Sequence, residues 1–184
     1  MILRRTFIVT TLLVVAMVAC KKDAKVIEAP VDEITKLPQV TAIGAGTFGA
    51  IVKGKAFIGK ITECIYSHDN NYPDYYNFTL TAIDAGKNTI QISLPIVSKL
   101  AEKNSYTLNN MTFSHWAGKY TDGAATENIY QTNATNNGTV SFSKADDENK
   151  IFSGTFSFIA VNSAGEKVTI TDGRFDTHFI YIEK

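Results

Sequence analysis

The densest group of residues equipped to recognise a ligand is Ser67 to Tyr76, SHDNNYPDYY, which sets Tyr72, Tyr75 and Tyr76 among His68, Asp69, Asn70, Asn71 and Asp74. Aromatic faces stack on sugar rings while amides and carboxylates bond hydroxyls, and tyrosine is equally suited to protein interfaces. Trp116, the only tryptophan, follows His115 and would extend such a surface. Packing accounts for the same residues differently: Tyr76 in a strand core, Tyr75 covering an edge, Trp116 filling a corner.

Other patterns carry less chemistry. Gly44 to Gly49, GAGTFG, spells G-x-G-x-x-G, but that fingerprint holds a pyrophosphate only between a strand and a helix. Here it follows Pro38 and runs into a strand-like segment, so a flexible loop is expected and no dinucleotide site. His68, His115 and His178 are widely separated, with neither H-E-x-x-H nor C-x-x-C, so no metal site is expected. Arg174, Asp176 and His178 alternate, which on a strand places all three on one face and Phe175 and Phe179 on the other. That polar face is expected to be solvated, with Arg174 and Asp176 as a weak surface ion pair; a polar binding face is the alternative. Asp146-Asp147-Glu148-Asn149 lacks the spaced order of a calcium loop and suits a hairpin tip. No G-x-S-x-G presents a nucleophile. No catalytic residue and no cofactor is therefore assigned.

The chain that must position these residues begins with a segment unlike the rest. Of its first nineteen residues fourteen are apolar, Arg4 and Arg5 are basic, and none is acidic. The apolar stretch Phe7 to Val18 behind a basic start has the order of a secretory signal, and falls short of the roughly 18 to 20 residues a spanning helix needs. Met17-Val18-Ala19-Cys20, followed by Lys21-Lys22-Asp23, resembles the lipobox of bacterial lipoprotein signals, with Met17 where Leu, Val or Ile is usual. The resemblance implies cleavage after Ala19 and acylation of Cys20. Several acyl chains give stable anchoring where one is marginal.

The 18 basic and 18 acidic side chains balance, which argues against the basic surface that non-specific nucleic-acid binding requires. After removal of residues 1–19 the chain keeps 165 residues and a formal charge of −2, with Cys64 as its single remaining unlipidated thiol. A domain of that size buries roughly 70% of its unfolded surface and can fold without disulfides. Residues 20–40 carry Pro30, Pro38 and scattered charges without a sustained period, the pattern of a lipidated N-terminus and flexible tether. The folded domain is expected over 41–184.

Within that domain short strands and turns dominate. Phe48 to Lys53 and Lys55 to Ile61 flank Gly54 as a hairpin. Tyr75 to Ile83 alternates apolar and polar residues, and Thr89 to Leu94 answers it across the turn Asp84 to Asn88. Pro95 to Lys103 is the single helical suggestion. Tyr106–Phe113, Asn128–Thr132, Thr139–Ser143, Ile151–Asn162, Lys167–Asp172 and Arg174–Ile182 also read as strands. In Phe152 to Phe158 the phenylalanines should face the core and the hydroxyls the solvent. The fold class is all-β: an antiparallel β-sandwich or partly closed barrel of about 8–10 short strands, with at most one short helix.

Gly154-Thr155-Phe156-Ser157-Phe158 and Val168 to Asp176, VTITDGRFD, together with Thr47-Phe48-Gly49 and Val52 to Phe57, VKGKAF, resemble a family of uncharacterised β-rich lipoproteins common in Bacteroidota. The resemblance covers roughly Thr41 to the C-terminus. These are strand and turn residues, with Gly54 suited to a hairpin and Gly173 to a turn or bulge. It implies an envelope lipoprotein and supplies no activity. The expectation is an outer-membrane lipoprotein, facing either side of that membrane, that acts as a non-enzymatic binding module. Its membrane contact would be the acyl chains, and its ligand a glycan or an envelope protein; no nucleic acid is expected. The alternative is an envelope hydrolase whose active site leaves no motif.

Overall fold

The computed structural model describes residues 31–96, 98–109, 117–123 and 128–183. Ala19, Cys20 and Trp116 lie outside them. Lys53 and Gly54, both at positive φ, make the two-residue turn expected between β1 (Thr47–Val52) and β2 (Lys55–Asp69). β3 (Tyr72–Ile83) and β4 (Thr89–Ile96) continue the antiparallel run, and β5 (Ser105–Leu108), β6 (Gly118–Thr121) and β7 (Ile129–Gln131) follow. β8 (Gly138–Asp146), β9 (Ile151–Val161), β10 (Lys167–His178) and β11 (Ile180–Glu183) complete the chain.

The protein is all-β, as its alternation implies, and the sheet closes. Strands β10, β1, β2, β3, β4, β6, β7 and β9 pair in that order, and β9 returns to β10, giving an eight-stranded antiparallel barrel. The wall forks at β9. β7 meets it at Val161, whereas β8 pairs with Ile151 to Phe158 and carries β5 on its far edge. β11 runs parallel to β2 along Ile65 to His68, beyond the point where β1 has left that edge.

Alternation places the core. Phe78, Leu80 and Ala82 of β3, Ile90 and Ile92 of β4, and Phe152, Phe156 and Phe158 of β9 are buried. Val140 and Phe142 of β8 and Leu108 of β5 join them, so the fork supplies core residues too. Phe78, Phe142 and Phe152 meet edge to face with centroids 5.2 to 5.6 Å apart, the geometry that aromatic quadrupoles favour. An eight-stranded barrel has an interior that side chains can fill.

Two expectations are corrected. Pro95 to Ile96 extend β4 opposite Asn77 and Tyr76, and Ser98–Lys103 forms no helix. Pairing by β6 stops at Ile92, so Pro95 lies where β4 is an edge and its missing N–H is tolerated. The packed region also starts upstream of Thr41. A short helix α1 (Val31–Thr35) holds Glu33, whose Oε2 accepts the Ala56 N–H at 2.7 Å, and Leu37 is only 6% exposed. Leu37 and Pro38 occupy the space above Gly49, where a Cβ would come within 2.6 Å of Pro38 Cδ. Residues 31–46 thus form a strap along the outside of the barrel.

Phe152→Ala should lower stability by about 3–5 kcal/mol, because the ring joins a packed aromatic cluster that cannot collapse around the void. A urea midpoint within error of the wild type would show that the cluster does not hold the barrel.

Candidate functional site

The tyrosine-rich segment forms the end of the β2–β3 hairpin. Asp69 Oδ1 accepts the Asn71 N–H at 2.9 Å and its side-chain amide at 3.0 Å, closing the turn between β2 and β3. His68 pairs with Tyr76 but Asp69 with Tyr72, so Pro73, Asp74 and Tyr75 bulge outward. His68 Nε2 donates to the Pro73 carbonyl at 2.9 Å and braces that bulge. β11 ends opposite His68 and β4 opposite Tyr76, so among the described residues no third strand flanks Asp69 to Tyr75.

The predicted surface residues divide at this tip. Tyr72 is 66% exposed and Tyr75 half-buried, and with Asn71, Pro73 and Asp74 they line a shallow depression of 270 Å³. Tyr76 belongs to the wall: its ring stacks on His68 at 4.6 Å and on Tyr66 at 5.5 Å. Tyr66 in turn meets Phe152 edge to face and accepts the Leu100 N–H at 3.1 Å. Sequence reasoning passed over Tyr181, whose ring lies 5.9 Å from Tyr66 with the Lys150 ammonium 5.4 Å from its centroid. The alternation of Phe179 and Tyr181 was its signal.

Arg174, Asp176 and His178 do share one face of β10, but the strap buries Asp176 and partly covers Arg174, leaving only His178 exposed. Asp176 is 1% exposed. Its Oδ1 accepts the Gly44 N–H at 2.8 Å and the Ser153 hydroxyl at 2.6 Å; its Oδ2 accepts the Thr41 hydroxyl at 2.6 Å and the Ile43 and Ala45 N–H groups, each at 3.1 Å. Burial pushes the Asp176 pKa up, and the hydrogen bonds from Ser153, Thr41, Ile43 and Ala45 overturn it, holding the carboxyl well below its usual range. The expected surface ion pair is absent. Arg174 donates instead from Nη1 to the Pro38 carbonyl at 3.2 Å and from Nε to the Asp172 carbonyl at 3.3 Å.

The glycine fingerprint precedes a strand, as its neighbours implied, yet it is bound in place. Backbone N–H groups converging on an anion form a nest, and here the anion is the chain's own Asp176. Gly44 is needed at its position. It has φ +76, and a Cβ there would lie 2.5 Å from the His178 ring. Contacts spanning more than 130 residues leave no local period to read.

Asp146 and Cys64 have structural settings. Asp146 accepts the Asn149 N–H and side-chain amide, which hold its pKa down to about 2, and the acidic run forms the β8–β9 turn. Burial, with Glu63 adding repulsion, pushes the Cys64 thiol up to about 12 and leaves it unreactive. Among the described residues no three His, Cys, Asp or Glu side chains converge as metal ligands. No described helix is long and apolar enough to cross a membrane.

Residues 48–177 match the profile of DUF6252, a domain of unknown function. The chain belongs to this family. No curated protein and no solved structure matches it. The DUF6252 span runs from β1 to the end of β10, so it contains Asp176, while the strap and β11 flank it.

Asp176→Asn should cost about 2–3 kcal/mol at pH 7, because an amide turns N–H groups toward donors that a carboxylate satisfies. The folded-state pKa of Asp176 is depressed, so its contribution is complete above the unfolded value of about 4 and fades as pH falls through the folded one. Urea midpoints at pH 7 and pH 3 should show the gap between wild type and variant narrowing in acid. An equal gap at both values would remove Asp176 as the source.

Proposed function

We propose that the chain is a lipid-anchored module of the bacterial outer membrane that binds an envelope partner through the β2–β3 tip and carries out no catalysis. The position of that tip supports the reading. The strap begins beside Ala56, at the β1–β2 end of the barrel, and β2 then runs 15 residues to Asp69. At about 3.3 Å per residue the tip stands roughly 45 Å from the end where the lipidated N-terminus arrives. Residues 20–30 add at most about 40 Å of reach.

Tyr72 and Tyr75, with Asp74 between and Asn71 beside them, suit a glycan or a protein face equally: two amphipathic rings and two hydrogen-bonding side chains on one hairpin. The resemblance of Gly154 to Phe158 and Val168 to Asp176 to β-rich lipoproteins of Bacteroidota, and Cys20 behind its apolar leader, support the envelope location.

Cys20→Ala should move the protein from the membrane fraction to the soluble one; an unchanged membrane fraction would overturn the anchor. Tyr72→Ala with Tyr75→Ala should weaken capture of glycans on an array, or of crosslinked envelope proteins, by roughly tenfold or more, the effect of losing an aromatic hot spot. Equal capture by wild type and variant would overturn the tip as the binding surface.

A further inference from the structure

We infer that the barrel wall carries a second recognition site, a polar groove across β8, β9 and β10 that takes an uncharged oligosaccharide. The groove has a volume of 350 Å³, at the small end of ligand pockets of about 300–1,000 Å³. Register builds it. Thr139 pairs with Ser157, Ser141 with Thr155, and Thr155 with Arg174, so hydroxyl groups form two rows on the outer face. A bulge between Ile170 and Gly173 opens the floor beside them. Gly173 keeps it open and packed: a Cβ there would meet the Phe156 ring at 2.5 Å.

The chemistry of the lining selects the ligand. Each hydroxyl of Thr139, Ser141, Thr155 and Ser157 can both donate and accept, with one bond of Ser141 already shared with Ser105 Oγ at 2.7 Å. Asp172 contributes an acceptor and Arg174 a donor, and their charges cancel. An anion would face Asp172 and a cation would face Arg174. Neutral groups that both donate and accept, as sugar hydroxyls do, match every side of the groove. Arg174 is the sole arginine after Arg5 in a chain with 15 lysines. Two carbonyls hold its plane through Nε and Nη1, and among the described residues no carboxylate pairs with it. Its remaining N–H groups form a fork fixed before any ligand arrives.

One wall is the strap. Val40, 58% exposed, lines the groove two residues beyond the carbonyl that Arg174 holds. It offers an apolar face to ring C–H groups, and a sugar seated between Val40 and β9 ties the strap to the barrel.

The test uses the full lipidated chain in a detergent without a sugar headgroup. Maltohexaose, cellohexaose and laminarihexaose serve as uncharged probes, and oligogalacturonate and chitosan oligomers as the charged ones, with binding read by calorimetry. At least one neutral probe should bind with Kd of about 0.1–1 mM, roughly tenfold more tightly than the charged oligomers. Thr155→Val with Ser157→Ala, which leaves the strap contacts intact, should weaken it roughly tenfold, the loss of one or two hydrogen bonds. Arg174→Lys should weaken it further, and bound sugar should slow proteolysis of the strap. Tyr72→Ala with Tyr75→Ala should leave this binding unchanged. Absence of binding by all neutral probes, tighter binding of galacturonate, or loss of binding in the tip variant instead of the groove variant would overturn the proposal.

Discussion

A single carboxylate under the strap decides how the two parts of the chain are joined. Asp176 receives five donors, three from the backbone and two from hydroxyls, and each of its oxygens takes at least two. A buried charge is costly unless its hydrogen bonds are complete, and here they are supplied largely by a segment that precedes the barrel. Aspartate meets the requirement because it accepts at both oxygens; an amide would turn its own N–H groups against a donor. Position and chemistry are linked: Thr47, which opens β1, is the register partner of Asp176. The same clamp therefore sets where the strap reverses into the barrel.

Much of the outer geometry follows from that join. Arg174 and His178, two residues either side of Asp176, hold the Pro38 carbonyl and pack against Gly44. Val40 is thereby placed over the groove, and α1 over the β1–β2 end through Glu33 and Ala56. The barrel contributes rigidity from within, where Phe78, Phe142, Phe152 and Phe175 interlock. β2 spans it: this 15-residue strand, bulged at Thr62, has the strap's start near one end and the tyrosine tip at the other. A tip on such a strand is presented at a set distance from the point where the chain enters the fold.

What the sequence revealed depended on the range of the contacts. Alternation in Phe152 to Phe158 and in Tyr76 to Ala82 gave both strands and their core faces, because period-two patterning is a local signal, but the Ser153 hydroxyl, expected in solvent, is buried against Asp176 under the strap. Gly54 gave the first hairpin for the same reason, whereas Gly173, suited equally to a turn between two strands, lies at a bulge inside the single strand β10. Arg174, Asp176 and His178 were correctly put on one face, but what covered it lay more than 130 residues away. The strap escaped notice because Leu37 is the one apolar side chain among its described residues that is fully buried, and the rest docks through backbone groups, the Glu33 carboxylate and the Thr41 hydroxyl. Pro95 suggested a helix start, whereas pairing with β3 carried the strand past it. Of the tyrosines, Tyr76 was separable by its parity with Phe78, while the outward bulge of Pro73 to Tyr75 depends on a register shift that composition does not announce.

Amide hydrogen exchange of Ile43, Gly44 and Ala45 in the full-length chain tests the join between strap and barrel most directly. Those N–H groups are bound to a buried carboxylate, so their opening free energy should lie within about 1–2 kcal/mol of that for the amides of β10, as expected of one cooperative unit. Exchange of these three amides at nearly the rates of an unstructured peptide, with β10 still protected, would contradict the account.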